Sequence, residues 1–290
     1  MDIREYRQMA EAQIAVAPNL SGGYPSGTYQ EQYVPTSAGS TRLMIYVPRA
    51  GDAENLPVYI NLHGGGFVLG FAEVDDPYCR RIAEEAGCIV VNVDYVLAPE
   101  CPFPSAVMEC YDVAQFIAST PGWMRIDPAR IAIGGHSAGG NLAAAVCLLA
   151  RERGRPKLVL QIIDYAVLDL ATSPKAKQKD PSQPTDLADL GELYNAWYLP
   201  SAADAHNPLA SPLLAPDLAG LPPALVITAE GDLLREEGEA YAGRLRTAHV
   251  DVLSKTYPSC GHGFTHSGPK EAAEDAWRLI CSRLREAFRD

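Results

Sequence analysis

Between residues 57 and 257 the chain alternates short apolar runs with longer stretches in which apolar residues return every three or four positions. The runs at 58–62, 88–93, 131–133, 158–163 and 224–229 read as strands, and the more polar 250–257 reads as a strand with bent edges. The stretches at 77–85, 106–119, 234–248 and 270–288 read as helices, as does the alanine- and leucine-rich stretch that follows residue 137. Strands that are apolar on both sides need cover on both faces. The alternation therefore predicts an α/β fold with a mostly parallel sheet between two layers of helices.

Two segments depart from this rhythm. Residues 2–17 read as an amphipathic helix with Ile3, Tyr6, Met9, Ala10, Gln13 and Ile14 near one stripe, and 18–27 break any regular pattern. Strands at 31–34 and 43–47 follow around a Ser-Ala-Gly-Ser turn, then a polar loop at 51–57. Residues 171–203 interrupt the core: a lysine-rich segment, SPKAKQKDPSQPTD, reads as a mobile loop, and an aromatic helix carries Leu187, Leu190, Tyr194, Trp197 and Tyr198. The expected organisation is one domain over 1–290, with a cap assembled from about 1–30 and 171–205. Insertions between core strands often line a substrate site, which makes Tyr194, Trp197 and Tyr198 lining candidates.

Composition narrows the partners. The chain has 290 residues and a formal net charge of -12, which argues against a nucleic-acid or anionic-membrane surface. The N-terminus is charged from its second residue and lacks a signal-peptide core, and no apolar run is long enough to span a bilayer. Seven cysteines without a paired framework fit free thiols in a reducing compartment. These features together predict a soluble, cytoplasmic protein.

The chemistry centres on Gly135-His136-Ser137-Ala138-Gly139, with an apolar strand before it and a helix pattern after it. Strand, sharp turn and helix are the context that a nucleophilic serine on an elbow requires. Side chains at the two glycines would collide with the strand or the helix. A serine hydroxyl needs a base, and His262 lies between the last strand and the last helix, where a loop presents it over the C-terminal edge of the sheet. His136 adjoins Ser137, but neighbouring side chains on a tight turn point apart, so it is expected to pack beside the site. Asp232, after the strand 224–229, is the expected acid, with Glu230 and Asp164 as weaker alternatives. The glycines after His63 allow the amides of Gly65 and Gly66, with that of Ala138, to form an oxyanion hole, and His63 is expected to brace that loop. His262 and His266 have the spacing of a metal pair but lack an intervening glutamate and a third ligand. Neither a metal nor a cofactor is expected.

Seven pieces in order resemble the hormone-sensitive-lipase-like branch of the α/β-hydrolases. They are His63-Gly-Gly-Gly-Phe67, Asp94-Tyr-Val-Leu-Ala-Pro-Glu100, Phe103-Pro104, Gly135-His-Ser-Ala-Gly-Gly-Asn-Leu142, Ser211-Pro-Leu213, Thr228-Ala-Glu-Gly-Asp-Leu-Leu-Arg235 and Gly261-His-Gly-Phe264. The resemblance implies an eight-stranded sheet with a helical cap, the triad Ser137, Asp232 and His262, and hydrolysis of carboxylic esters with short to medium acyl chains. It also implies that Glu100 braces the active-site loops, and it leaves homodimerisation through a sheet edge open. Two positions depart from the family pattern: His136 replaces an aspartate, and Val96 replaces an arginine. Acyl transfer, natural-product tailoring by cyclisation or elimination, and small-molecule binding without catalysis are the rival readings of the same serine site.

Overall fold

The computed structural model describes residues 2–14, 21, 23–24, 29–49, 55–70, 72–119, 124–178 and 186–289. Parts of the expected cap and of the lysine-rich segment therefore lie outside the described residues. Eight strands form one sheet in the order β1-β2-β4-β3-β5-β6-β7-β8. They are β1 (Gln30–Thr36), β2 (Gly39–Tyr46), β3 (Leu56–Leu62), β4 (Ile89–Asp94), β5 (Ile126–His136), β6 (Leu160–Asp164), β7 (Ala224–Ala229) and β8 (Val252–Tyr257). The β1–β2 and β2–β4 pairs are antiparallel, and every pair from β4 to β8 is parallel. This is the mostly parallel eight-stranded sheet expected from the sequence.

The helices are α1 (Ile3–Ile14), α2 (Asp76–Ala86), α3 (Ser105–Ser119), α4 (Ala138–Arg153), α5 (Pro174–Lys177), α6 (Asp186–Tyr198), α7 (Arg235–Thr247), α8 (Phe264–Ser267) and α9 (Lys270–Ala287). Successive strand residues point to opposite faces, and the core divides accordingly. Ile89, Val91 and Val93 of β4 join Val107, Leu142 and Tyr241 on the side of α3, α4 and α7. Val90 instead packs with Ile82, Trp277 and Ile280 on the side of α2 and α9. Buried Arg81 of α2 bridges the second layer through a two-pronged contact with Glu274 of α9, at 2.7 Å on each prong.

Some expected boundaries move. β5 starts at Ile126, five residues before the apolar run, because Leu56 of β3 pairs with Ile126 across an irregularity in the ladder. The lysine-rich segment is not loop from its start. Pro174–Lys177 forms a helical turn, with the Ser173 side chain accepting the Ala176 amide. α1 ends at Ile14, and residues 15–17 of the longer helix expected there are not described. All cysteines are free: Cys79, Cys88, Cys110, Cys147, Cys260 and Cys281 are buried, and Cys101 is partly exposed. Among the described residues no helix is long and apolar enough to cross a membrane.

Candidate active site

Ser137 sits between the end of β5 and the start of α4 with φ 53° and ψ −119°, a conformation that strains a residue bearing a side chain. Close packing around the turn enforces it. A Cβ on Gly135 would lie 2.1 Å from the Leu62 carbonyl oxygen, and one on Gly139 would lie 1.9 Å from the same atom. Both glycines thus press the elbow against the end of β3. The Ser137 amide donates to the Asp164 carbonyl at 2.9 Å, which ties the turn to β6.

Three side chains from separate loops meet at this turn. Ser137 Oγ lies 3.0 Å from His262 Nε2, and His262 Nδ1 lies 2.8 Å from Asp232 Oδ2. Asp232 is nearly inaccessible, with its side chain 1% exposed, and its Oδ1 accepts the Leu234 amide at 3.0 Å. Burial alone would lower the His262 pKa, but the Asp232 carboxylate outweighs it and holds the pKa above its ordinary value. The Nδ1 proton belongs to the Asp232 contact, so Nε2 is free to accept from the serine hydroxyl. Neither alternative acid reaches His262. Glu230 is exposed and accepts the Ser259 amide, and buried Asp164 takes the Thr265 hydroxyl, its carboxyl pushed well up by desolvation.

The glycine loop after β3 faces the elbow. Gly65 has φ +116° and Gly66 φ +61°, both favouring glycine, and a Cβ on Gly65 would lie 1.9 Å from the Leu69 carbonyl oxygen. The Gly65 carbonyl accepts the Val68 and Leu69 amides, which turns the peptide units of the loop back on themselves. Ala138 opens α4, where the first amides have no partner within the helix. His63 is buried beneath the loop, stacked on Tyr95 at 4.1 Å, and its Nδ1 donates to the Gly64 carbonyl at 2.8 Å. Burial lowers its pKa, so the ring is a neutral brace.

An apolar cavity of about 80 Å³ opens beside Ser137 and His262, bounded by Phe67, Val167, Leu187, Tyr194 and Leu234. Of the three aromatic residues expected to line it, Tyr194 alone does. Trp197 packs on Tyr6 of α1 at 5.6 Å, and Tyr198 is buried in the core, stacked on Phe67 at 3.9 Å. Both are corrected for one reason: α1 and the core each claim one side of α6. Tyr6 and Tyr194 join hydroxyls at 2.6 Å above the cavity.

Several contributors were not legible in the sequence. Glu100 holds Arg7 of α1 through two contacts of 2.8 Å, and Arg7 also donates to the carbonyls of Val68 and Ala98. The bracing expected of Glu100 thus runs through an arginine in the first helix. Lys177, at the cavity wall, is buried with Glu237 at 2.8 Å, and burial raises the Glu237 carboxyl to about 7 despite that partner. His136 points away from Ser137, and its Nε2 accepts the Gly64 amide at 3.0 Å. It shares Asp75 with His266, so the two histidines spaced for a metal pair part company: His262 turns to Asp232 and His266 to Asp75.

Known proteins resemble this chain along most of its length. The profile of the alpha/beta hydrolase fold matches residues 59–266. A carboxylesterase of Mycobacterium tuberculosis, NlhH, is 38% identical over 216 residues, covering 73% of this chain and 68% of that protein. An arylesterase of Saccharolobus solfataricus is 36% identical over 272 residues, or 91% of this chain and 85% of the relative. Among solved structures, an esterase of Pyrobaculum calidifontis superposes with a TM-score of 0.91 at 39% identity, covering 99% of this chain and 94% of the other.

Proposed function

The chain belongs to the alpha/beta hydrolase fold family, and from that premise we propose that it is a serine esterase with Ser137 as nucleophile, His262 as base and Asp232 as the orienting acid. The observation that carries this reading is the unbroken chain from Ser137 Oγ to His262 at 3.0 Å and from His262 to Asp232 at 2.8 Å. Related proteins named carboxylesterase and arylesterase support ester cleavage as the reaction.

In the proposed mechanism His262 Nε2 takes the hydroxyl proton as Ser137 Oγ attacks the ester carbonyl carbon. The carbonyl oxygen gains charge between the amides of Gly65, Gly66 and Ala138, which meet it as preorganised donors. The imidazolium then gives its proton to the leaving alkoxide, and the alcohol departs. Water, deprotonated by the same nitrogen, cleaves the acyl-enzyme and restores the serine. Asp232 keeps the ring in the productive tautomer throughout and supports its transient positive charge. The small apolar cavity under Tyr194 is the natural seat of the acyl chain, which favours short to medium acyl groups. α1, α5 and α6 serve as its cap.

Ser137→Ala tests the assignment. Hydrolysis of p-nitrophenyl butyrate should fall on the order of 10⁶-fold while the melting temperature holds. Labelling by a fluorophosphonate, detected by intact-protein mass spectrometry, should likewise vanish with the hydroxyl. Undiminished turnover or labelling in that variant rejects the proposal.

A further inference from the structure

Behind the elbow, on the side away from the cavity, three more side chains converge. Asp75 ends a short 3-10 helix (Ala72–Asp75), His136 precedes Ser137, and His266 belongs to α8. Asp75 Oδ1 lies 3.2 Å from His136 Nε2 and 3.3 Å from His266 Nε2, and the three atoms all fall within 4.8 Å of one another. The two imidazole rings are 4.3 Å apart.

The bonds around these atoms accommodate His266 with its proton on Nδ1. The Thr265 hydroxyl donates to Asp164, which leaves its oxygen to accept the Tyr165 hydroxyl at 2.8 Å. In that arrangement Tyr165 oxygen accepts from His266 Nδ1, the two atoms being 2.9 Å apart, and Thr265 oxygen lies 3.0 Å from the same nitrogen. With its proton on Nδ1, His266 presents a lone pair at Nε2. That nitrogen is buried and has no hydrogen-bond partner, even though Asp75 is near. His136 Nε2 carries a lone pair as well, which the Gly64 amide engages at 3.0 Å. Asp75 Oδ2 is occupied by the Asn61 amide at 2.8 Å, which turns Oδ1 toward both rings. The His266 lone pair and Asp75 Oδ1 thus face one point, and His136 Nε2 lies 3.2 Å from the same oxygen.

We propose that Asp75, His136 and His266 form a binding site for a divalent transition-metal ion of the zinc type. A metal about 2.1 Å from tetrahedral ligands sets them about 3.4 Å apart, close to the two separations found around Asp75 Oδ1. Two imidazoles and one carboxylate suit zinc, cobalt or copper rather than magnesium or calcium. The contacts at the far side of His266 and Asp75 are the kind that orient metal ligands. The ion would join the segment after the glycine loop, the elbow and α8. It would also take the His136 lone pair from the Gly64 amide, so binding is coupled to the glycine loop.

Cobalt is the probe, since tetrahedral Co²⁺ absorbs in the visible while six-coordinate Co²⁺ absorbs far more weakly. Chelator-treated full-length protein titrated with Co²⁺ should develop a saturable band between about 500 and 650 nm, with one ion bound and displaced by Zn²⁺. The band should persist in His262→Ala and disappear in His266→Gln and Asp75→Asn, whose folding is checked by circular dichroism in EDTA. Where either of those variants fails to fold, His136→Gln takes its place. No saturable band in the wild type overturns the site. So does a band lost in His262→Ala, which places the metal on the esterase histidine, or one that survives in His266→Gln.

Discussion

Replacing Asp232 with asparagine exchanges one oxygen for an NH₂ group at a side chain that is 1% exposed. The Leu234 amide donates to Oδ1 at 3.0 Å and continues to require an oxygen there, so the NH₂ group turns toward His262. Nδ1 must then accept. The ring proton moves to Nε2, which faces Ser137 Oγ at 3.0 Å with no lone pair left to receive the serine proton. A wrong tautomer of this kind lowers kcat by about 10⁴-fold, equivalent to about 5 kcal/mol of transition-state stabilisation. Loss of the carboxylate also removes the main influence that offsets burial at His262 and raises its pKa, so the acid limb of the pH profile moves down. Spectrophotometric hydrolysis of p-nitrophenyl butyrate from pH 5 to 9 measures both effects, and Glu230→Gln, at an exposed neighbour, should retain full kcat. A kcat within tenfold of wild type, or an acid limb that stays in place, refutes this account of Asp232.

In the wild type, kcat/KM should fall as the pH drops through a midpoint above 6.5, because His262 acts only when neutral and Asp232 outweighs burial in raising its pKa. The stability that His262 contributes has the opposite pH dependence: it is full below 6.5 and is lost as the pH rises through the folded-state pKa. Melting curves across that window check this. Gly65→Ala, with its Cβ 1.9 Å from the Leu69 carbonyl oxygen, should displace the glycine loop and cost at least about 10²-fold in kcat, together with a lower melting temperature. Tyr194→Ala should widen the cavity and shift the ratio of kcat/KM for hexanoyl over acetyl esters upward by about tenfold, measured by competition between the two substrates.

The parts of this molecule that depend on local pattern were legible in the chain. β7 falls on Ala224–Ala229 because that run is apolar at every position but Thr228 and is bounded by prolines and an acidic turn. The elbow glycines were legible for a similar reason: an adjacent strand and helix leave no room for side chains between them. Contacts set by the meeting of distant segments were not. Asp75 and His136 are 61 residues apart, and neither flanking sequence shows that one faces the other. The aromatic face of α6 was visible, but its periodicity does not say which rings meet the cavity. Tyr6 takes Trp197 and Phe67 takes Tyr198, and both partners come from other parts of the fold. The departure at His136 first appeared as a lost acid. With Asp75 opposite, a carboxylate remains at the elbow but is supplied by the segment after the glycine loop.

The seating of α1 on the core has a practical use. Arg7 reaches the Ala98 carbonyl and the Glu100 carboxylate, and the next residue, Cys101, carries the only thiol in the chain that is not buried. A maleimide fluorophore would therefore attach beside the contact that holds the first helix down, without a background cysteine to remove. Its emission would report whether that helix leaves its seat, independently of any substrate and of the chemical step.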